Sequence, residues 1–217
     1  ELPAQGRAAL PDEVAFVWHQ QRWCVRHPEL KNPLAIDFDG GDLARRMRQG
    51  GEMLARACGA AKGLSIIDAT AGLGRDAVLL AGAGARVIAL EQNPALAWWL
   101  NQNLAAASQP LDVQCIHQNS VEYLQNHAAD VVYLDPMFPH RGKSAAVGGE
   151  SKVLQAFAGV PSDLDEAALF EAAWRACEYR VVVKRPIKAS PLANRTPASS
   201  LKGKAVRFDL YGKRKLP

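Results

Sequence analysis

Beyond residue 63, short apolar runs alternate with stretches of helical periodicity, which is typical of strand-helix-strand units around a parallel sheet. The apolar runs predict strands at 64–68, 86–90, 113–117, 130–134 and 180–184. Helices are predicted between them, one capped by Asn93 and opening at Pro94, another starting at Ser162 and Asp165. A last run at 206–211 alternates apolar and polar residues. The chain should therefore form an α/β fold with a mostly parallel sheet and an antiparallel last strand.

Residues 1–60 do not follow this alternation. A strand or hairpin is predicted within 14–25, and a basic helix is predicted to carry Arg45, Arg46 and Arg48. We therefore divide the chain into a small N-terminal appendage, 1–60, and a main domain, 61–217.

The composition fits this organisation and narrows the chemistry. The 217 residues are 48% hydrophobic, enough to bury a core. The cysteines include no C-x-x-C pair and the histidines show no metal-ligand spacing, so neither a metal site nor disulfides are expected. No apolar run has the length of a membrane span. The sequence predicts a cytoplasmic protein with no metal and no membrane association.

The net charge of +4 is small, but the basic residues are concentrated toward the carboxyl-terminal end. From residue 184 onward the only acidic residue is Asp209. Such asymmetry indicates a polyanionic partner. The alternative is a basic tail that is merely solvated.

A glycine-rich turn, Asp68 to Asp76, joins the first of these strands to a helix. Gly72 and Gly74 let the backbone approach a ligand closely, and the helix start presents free N–H groups. A dinucleotide site uses the same spacing and tolerates Ala77 at its third glycine, so spacing alone leaves a nicotinamide cofactor open. Asp68 and Asp76 are unfavourable beside a pyrophosphate and favourable beside an ammonium group. They favour S-adenosylmethionine.

Polar residues at the ends of the next two strands extend this hypothesis. Glu91 follows the glycines at a spacing suited to accepting both ribose hydroxyls. Gln92, Asn119 and Ser120 are then expected to flank the adenine. The alternative is that Glu91 is a helix-start carboxylate and that Asn119 or Ser120 caps a helix.

Asp135, Pro136, Met137 and Phe138 follow the fourth predicted strand, where open α/β sheets bind their substrates. An exocyclic amine is hard to methylate because its lone pair is delocalised into the base ring. A carboxylate and a fixed backbone carbonyl can accept hydrogen bonds from both amine N–H groups and hold the nitrogen in line with the methyl donor. Asp135, Pro136 and Phe138 are therefore catalytic candidates, with Phe138 stacking on the base. The alternative is a simple turn, with Phe138 in the core.

Basic side chains near this segment and on the N-terminal helix are candidates for contacts with phosphates. A long stretch rich in Gly, Lys and Pro, 137–149, contributes three of them, and the end of the strand at 180–184 contributes two more. The alternative is that these are solvated loop charges. The proposed set is Arg45, Arg46, His140, Arg141, Lys143, Lys184 and Arg185.

Five segments carry a family resemblance: 68–76 (DATAGLGRD), 131–140 (VVYLDPMFPH), 143–145 (KSA), 181–186 (VVVKRP) and 207–209 (RFD), together with Asp37-Phe38 and Gly40-Gly41. The chain resembles the bacterial small-subunit ribosomal RNA guanine-N2 methyltransferase family called RsmJ. The resemblance implies a Rossmann-like class I methyltransferase fold, S-adenosylmethionine as the donor, and N2 of a guanine in 16S ribosomal RNA, free or in the small ribosomal subunit, as the acceptor. It also implies cofactor contacts at Arg75, Asp76, Glu91, Gln92, Asn119, Ser120 and Asp135.

Three other functions stay open at this stage. A DNA amino-methyltransferase uses similar D-P-P-Y motifs, although the sequence shows no separate target-recognition domain. A nicotinamide oxidoreductase shares the glycine turn. A non-catalytic RNA-binding assembly factor would keep the fold without the reaction.

Overall fold

The computed structural model describes residues 7, 10–49, 52–60, 63–137, 148–158 and 165–217. The strands are β1 (Ala15–His19), β2 (Arg22–Arg26), β3 (Leu34–Ala35), β4 (Ser65–Asp68), β5 (Arg86–Glu91), β6 (Val113–His117), β7 (Ala129–Leu134), β8 (Cys177–Pro186), β9 (Ser199–Lys202) and β10 (Val206–Gly212). The helices are α1 (Gly41–Gln49), α2 (Met53–Cys58), α3 (Arg75–Gly82), α4 (Pro94–Ala105), α5 (Ser120–Asn126), α6 (Gly149–Ala158) and α7 (Glu166–Ala176).

Within the described ranges, seven strands form one sheet in the order β6-β5-β4-β7-β8-β10-β9. The pairs from β6 to β8 are parallel, whereas β10 runs antiparallel to both β8 and β9. The α/β fold with a mostly parallel sheet and an antiparallel last strand is therefore confirmed. The strand order reverses between β4 and β7, and the crevice above such a switch point is where open α/β sheets bind ligands.

The two faces of the sheet bury two different apolar clusters, because successive residues of a strand point to opposite sides. Tyr133 and Val182 contribute to the cluster on one face, which is covered by α1 to α4 and α6. Leu134 and Val183 contribute to the cluster on the other face, which is covered by α5 and α7. Each pair is matched in the register of β7 with β8. This alternation decides which side chains at the strand ends reach the crevice.

The described residues of the N-terminal segment pack into the first of these clusters. The predicted hairpin is present as β1 and β2, and β3 adds a third strand. Buried Val14, Val25 and Leu43 belong to the same apolar cluster as the sheet residue Ile66. The Trp99 indole donates a hydrogen bond to the Trp23 carbonyl at 2.7 Å, which ties the hairpin to α4. The hairpin and the helix α1 thus share the main core.

Candidate active site

Acidic residues stand at the carboxyl ends of three adjacent parallel strands. Asp68 is the last residue of β4, Glu91 is the last residue of β5, and Asp135 directly follows β7. Because carboxyl ends of parallel strands meet at the same edge, these residues lie along one rim of the sheet. They flank the switch point, where a bound molecule would contact all three elements.

The glycine turn adopts the backbone conformation for which glycine is suited. Gly72 and Gly74 have φ angles of +52° and +72°, in the left-handed region. A Cβ at Gly74 would lie 2.5 Å from Leu100 Cδ1. The Ala71 amide donates to the Leu90 carbonyl at 3.0 Å, so the turn is fixed to the neighbouring strand. The helix that follows begins at Arg75, so its first turn lies directly beside the rim.

The Glu91 carboxylate lies beside this turn. One oxygen accepts a hydrogen bond from the Gly72 amide at 3.1 Å, and the other accepts one from the Asn93 amide at 2.8 Å. Burial raises the pKa of Glu91 to about 7. Glu91 therefore holds the glycine turn and also serves as a helix-start carboxylate, which was the alternative reading of its position.

Asp68 and Thr70 connect the first strand end to the third. The Thr70 amide donates to Asp68 Oδ1 at 3.1 Å, and the Asp135 amide donates to Thr70 Oγ1 at 2.6 Å. Burial, reinforced by the charge of Asp76, raises the pKa of Asp68 to about 8. Thr70 was not among the predicted site residues. Its position between the strand end and the glycines was the available signal.

Asp76, Lys184 and Asp135 form a linked charged group at the centre of the rim. Lys184 Nζ donates to Asp76 Oδ2 at 2.9 Å and to Asp135 Oδ2 at 2.8 Å. The Tyr133 hydroxyl also donates to Asp76 Oδ2, at 2.6 Å. Burial raises the pKa of Asp135, and the Lys184 ammonium opposes that rise. Burial would lower the pKa of Lys184, but Asp76 and Asp135 together raise it above its ordinary value.

The acceptors at this rim fit the cofactor that the sequence predicts. The hydrogen bonds described for Asp68 and Glu91 come from backbone amides and a threonine hydroxyl, all of them uncharged. A buried carboxylate gains most from a cationic partner or from hydroxyl donors. An amino-acid ammonium and ribose hydroxyls supply those two kinds of donor. The residues present are therefore compatible with S-adenosylmethionine.

Of the three residues expected to flank an adenine, two have side chains that form hydrogen bonds within the protein, and the third is exposed. The Ser120 hydroxyl donates to the Ala69 carbonyl at 2.6 Å, so α5 is tied to the glycine turn. Asn119 caps α5, accepting hydrogen bonds from the amides of Val121 and Glu122. The helix-cap alternative is therefore what the structure shows for Asn119. Gln92 is exposed beside Glu91.

Helix α6, which the sequence did not predict, lies against the glycine turn. Arg75 forms an ion pair with Glu150 at its start. A Cβ at Gly72 would lie 3.4 Å from Leu154 Cδ2, and the Asn93 side chain donates to the Phe157 carbonyl at 3.0 Å. The helix therefore contacts both the glycine turn and the start of α4.

The structure gives two of the predicted RNA-contact residues, Arg185 and Lys184, partners within the protein. The side chain of Arg185 is only 4% exposed, pairs with Glu166 and donates to the Ser190 carbonyl, so its guanidinium is not presented at the surface. It points to the opposite face from Lys184 because neighbouring strand residues alternate. Lys184 itself is engaged by Asp76 and Asp135 rather than presented to a polyanion.

Arg45 and Arg46 lie on α1, which packs on the same face of the sheet as Asp76. Arg46 forms a bidentate pair with Glu52 at 2.9 Å, and this pair, with a smaller contribution from Asp76, raises the pKa of Arg46. The side chain of Arg45 is 56% exposed and pairs with Asp42.

Pro136 is buried after Asp135. Four predicted site residues lie outside the described residues: Phe138, His140, Arg141 and Lys143.

The part of the chain that the structure describes holds no cluster of three or more His, Cys, Asp or Glu side chains arranged to hold a metal ion. Among the same residues, no helix is both long enough and apolar enough to cross a bilayer.

Comparisons with known proteins identify the family. A family model described as "Putative SAM-dependent methyltransferase" matches residues 10–213. The chain is 42% identical to the ribosomal RNA small subunit methyltransferase J of Stutzerimonas stutzeri over 203 residues, covering 87% of this chain and 78% of that protein. It is 44% identical to the protein of the same name from Psychromonas ingrahamii, with 84% and 76% covered.

Solved structures agree with this assignment. A SAM-dependent methyltransferase from Neisseria gonorrhoeae superposes with a TM-score of 0.72 at 30% identity, covering 98% of this chain and 85% of that one. A Thermus thermophilus 16S rRNA N2 methyltransferase, solved with AdoMet and guanosine, gives a TM-score of 0.54 at 19% identity, with 93% and 50% covered, and shows the shared fold alone. The chain is a SAM-dependent methyltransferase and belongs to the ribosomal RNA small subunit methyltransferase J family.

Proposed function

We propose that the protein transfers a methyl group from S-adenosylmethionine to the exocyclic N2 amine of a guanine in small-subunit ribosomal RNA. The names of the relatives support the RNA. The resemblance of the D-P-M-F segment and its neighbours to RsmJ supports the N2 amine. A substrate of this kind also implies a cytoplasmic location.

The position of Asp135 is the main support for this proposal. Its backbone is fixed by the Thr70 hydroxyl, and its carboxylate is fixed by Lys184 at 2.8 Å. A carboxylate oxygen has more than one lone pair, so Asp135 can still accept a hydrogen bond from an amine N–H. The carboxylate thus stands ready at the rim before substrate binds, and positioning of that kind accelerates a reaction whose chemistry resides in the cofactor.

Different residues along the rim would bind the cofactor and the target base. The cofactor, when bound, supplies an electrophilic methyl group. Asp68 and Asp76 would bind its ammonium, and Glu91 its ribose hydroxyls. Asp135 and the backbone carbonyl of Pro136 would accept hydrogen bonds from the target amine and orient its nitrogen. The nitrogen would gain the methyl group, with S-adenosylhomocysteine as the other product, and its surplus proton would leave to solvent. Phe138 would stack on the extruded base.

Contacts with RNA phosphates are assigned to Arg45, Arg46, His140, Arg141 and Lys143, without Lys184 and Arg185. Arg45 is the best placed of the described ones, because it is exposed on a helix that packs beside Asp76. Phosphate contacts of this kind position an RNA without reading its sequence.

Transfer of a labelled methyl group from S-adenosylmethionine to purified small-subunit RNA tests the proposed function. Incorporation into RNA but not into duplex DNA is expected. Incorporation into DNA would favour a DNA amino-methyltransferase. RNA binding without any incorporation, into naked RNA or assembled subunits, would favour a non-catalytic assembly factor.

A further inference from the structure

We propose that Lys184 is a positioning residue for the methyl transfer: by bridging Asp76 and Asp135, it holds the Asp135 carboxylate in the orientation that the target amine requires. This proposal rests on the proposed function of Asp135. It differs from the phosphate contact that the sequence suggested for Lys184.

The register of the sheet places Lys184 at this point. Leu134 pairs with Val183 in the parallel ladder of β7 and β8, so the next residues along, Asp135 and Lys184, stand side by side. Paired residues of adjacent strands share a face of the sheet. Lys184 therefore meets Asp135 directly, whereas Arg185 is directed to the other face, where it pairs with Glu166.

Lys184 also donates a hydrogen bond to a second carboxylate, that of Asp76. Asp76, in the first turn of α3, accepts hydrogen bonds from Lys184 at 2.9 Å and from the buried Tyr133 hydroxyl at 2.6 Å. Tyr133 is 0% exposed in the centre of the sheet, so it provides a rigid anchor. A chain of contacts thus runs from the core through Asp76 and Lys184 to Asp135. A lysine serving a phosphate would not need this second carboxylate.

The charges around Asp135 influence whether its carboxyl group is ionised. Burial, and to a smaller extent Asp76, favours the protonated form of Asp135, while Lys184 and, more weakly, Arg185 favour the carboxylate. A protonated Asp135 would lose its capacity as an ionised acceptor. Lys184 therefore has two effects on the same group: it fixes the orientation of Asp135, and it preserves its negative charge.

The test compares Lys184→Met and Lys184→Arg with the wild-type protein, with Lys31→Met as a control for loss of an exposed lysine outside the site. For Lys184→Met, kcat should fall on the order of 100-fold, as expected when a reacting group is misplaced. KM for RNA and the salt dependence of RNA binding should change little. Lys184→Arg, which retains a cation, should recover part of kcat, and Lys31→Met should behave as wild type.

A second readout needs no RNA. Titration of the labelled Asp135 carboxyl by NMR should show a higher pKa in Lys184→Met than in the wild type, and the acidic limb of the kcat profile should move to higher pH in parallel. If Lys184→Met does not fold, Lys184→Gln, which can still hydrogen-bond to the carboxylates but lacks the charge, provides the same comparison.

Two results would overturn the assignment of Lys184. One is a raised KM for RNA and a reduced salt slope with kcat unchanged, which would return Lys184 to a phosphate contact. The other is an unchanged Asp135 titration. Absence of methyl transfer by the wild-type protein, with the Asp135 titration shifted as expected, would instead count against the proposed function and leave the bridge intact.

Discussion

The Glu91 carboxylate accepts a hydrogen bond from the Gly72 amide at 3.1 Å, so the end of β5 and the glycine turn are fixed to each other. Glu91 follows Gly72 by 19 residues in sequence. The contact means that the residue proposed to hold the ribose also shapes the turn proposed to lie against the rest of the cofactor. A change at Glu91 should therefore affect both binding and local structure.

Glu91→Ala should weaken cofactor binding by about 1–3 kcal/mol, because the ribose hydroxyls lose their acceptor. Isothermal titration with S-adenosylhomocysteine measures this loss. Glu91→Gln is the matched variant: it keeps the shape and one acceptor oxygen, so its loss should be smaller. An unchanged affinity in a folded Glu91→Ala protein would remove Glu91 from the cofactor site.

Stability should depend on pH through Asp68 and Glu91, whose carboxyl groups are buried at the rim. The folded-state pKa is about 8 for Asp68 and about 7 for Glu91, both above the ordinary values. The folded chain therefore binds more protons than the unfolded chain between about pH 4 and pH 8, and the free energy of unfolding should fall as the pH rises through that window. Urea unfolding at several pH values should show a flatter decline for Asp68→Asn. Equal slopes for variant and wild type would contradict this.

Asp135→Ala should abolish turnover while the fold is retained, and affinity for the cofactor should fall much less than the rate. Some loss of affinity is expected, because the family resemblance also places Asp135 at the cofactor. Single-turnover rates at saturating S-adenosylmethionine separate the two effects. A rate near that of the wild type would show that Asp135 is not catalytic.

Arg185→Met should destabilise the fold by about 1–3 kcal/mol, because it removes a buried charged hydrogen-bonding group from Glu166 and the Ser190 carbonyl. Urea unfolding measures the loss, and the salt dependence of RNA binding should stay as in the wild type. A reduced salt slope without a loss of stability would restore the phosphate contact that the sequence suggested.

RNA binding should be strongly salt-dependent, and Arg45→Ala should lower the slope by roughly one unit or less, because one fewer phosphate is neutralised. Phe138→Ala provides the contrast: loss of base stacking should cost about 1–3 kcal/mol with little change in the slope. Affinities measured side by side across a salt series distinguish them. A slope unaffected by Arg45→Ala would make that arginine part of a solvated face.

Much of the sheet and its rim follows from local sequence. The strand at 113–117 and the Asn93 cap of α4 are set by residues a few positions apart, and both are confirmed. The strand at Ser199–Lys202 was not predicted, because its four residues are mostly polar and gain their partner, β10, only through the tertiary fold. Helix α6 was missed because its helical pattern follows directly on a stretch rich in glycine and lysine.

The site residues also divide into those that local sequence predicts and those that depend on the tertiary fold. The acids at the ends of β4, β5 and β7 were found because each follows a recognisable apolar run. Lys184 and Arg185 have different partners because their side chains lie on opposite faces of β8. The sequence shows that both are basic but does not show which face each one occupies. Once Leu134 is known to pair with Val183, the faces are decided.

The most direct test of the proposed reaction is the position of the methyl group in the RNA product. Small-subunit RNA, both naked and as assembled subunits from a strain lacking the enzyme, should be incubated with S-adenosylmethionine and either wild-type or Asp135→Ala protein. Nucleosides are then analysed by mass spectrometry. We expect N2-methylguanosine at one site in small-subunit RNA with the wild-type protein and none with the variant. Methylation at a ring nitrogen, a ribose or another base would contradict the proposed reaction.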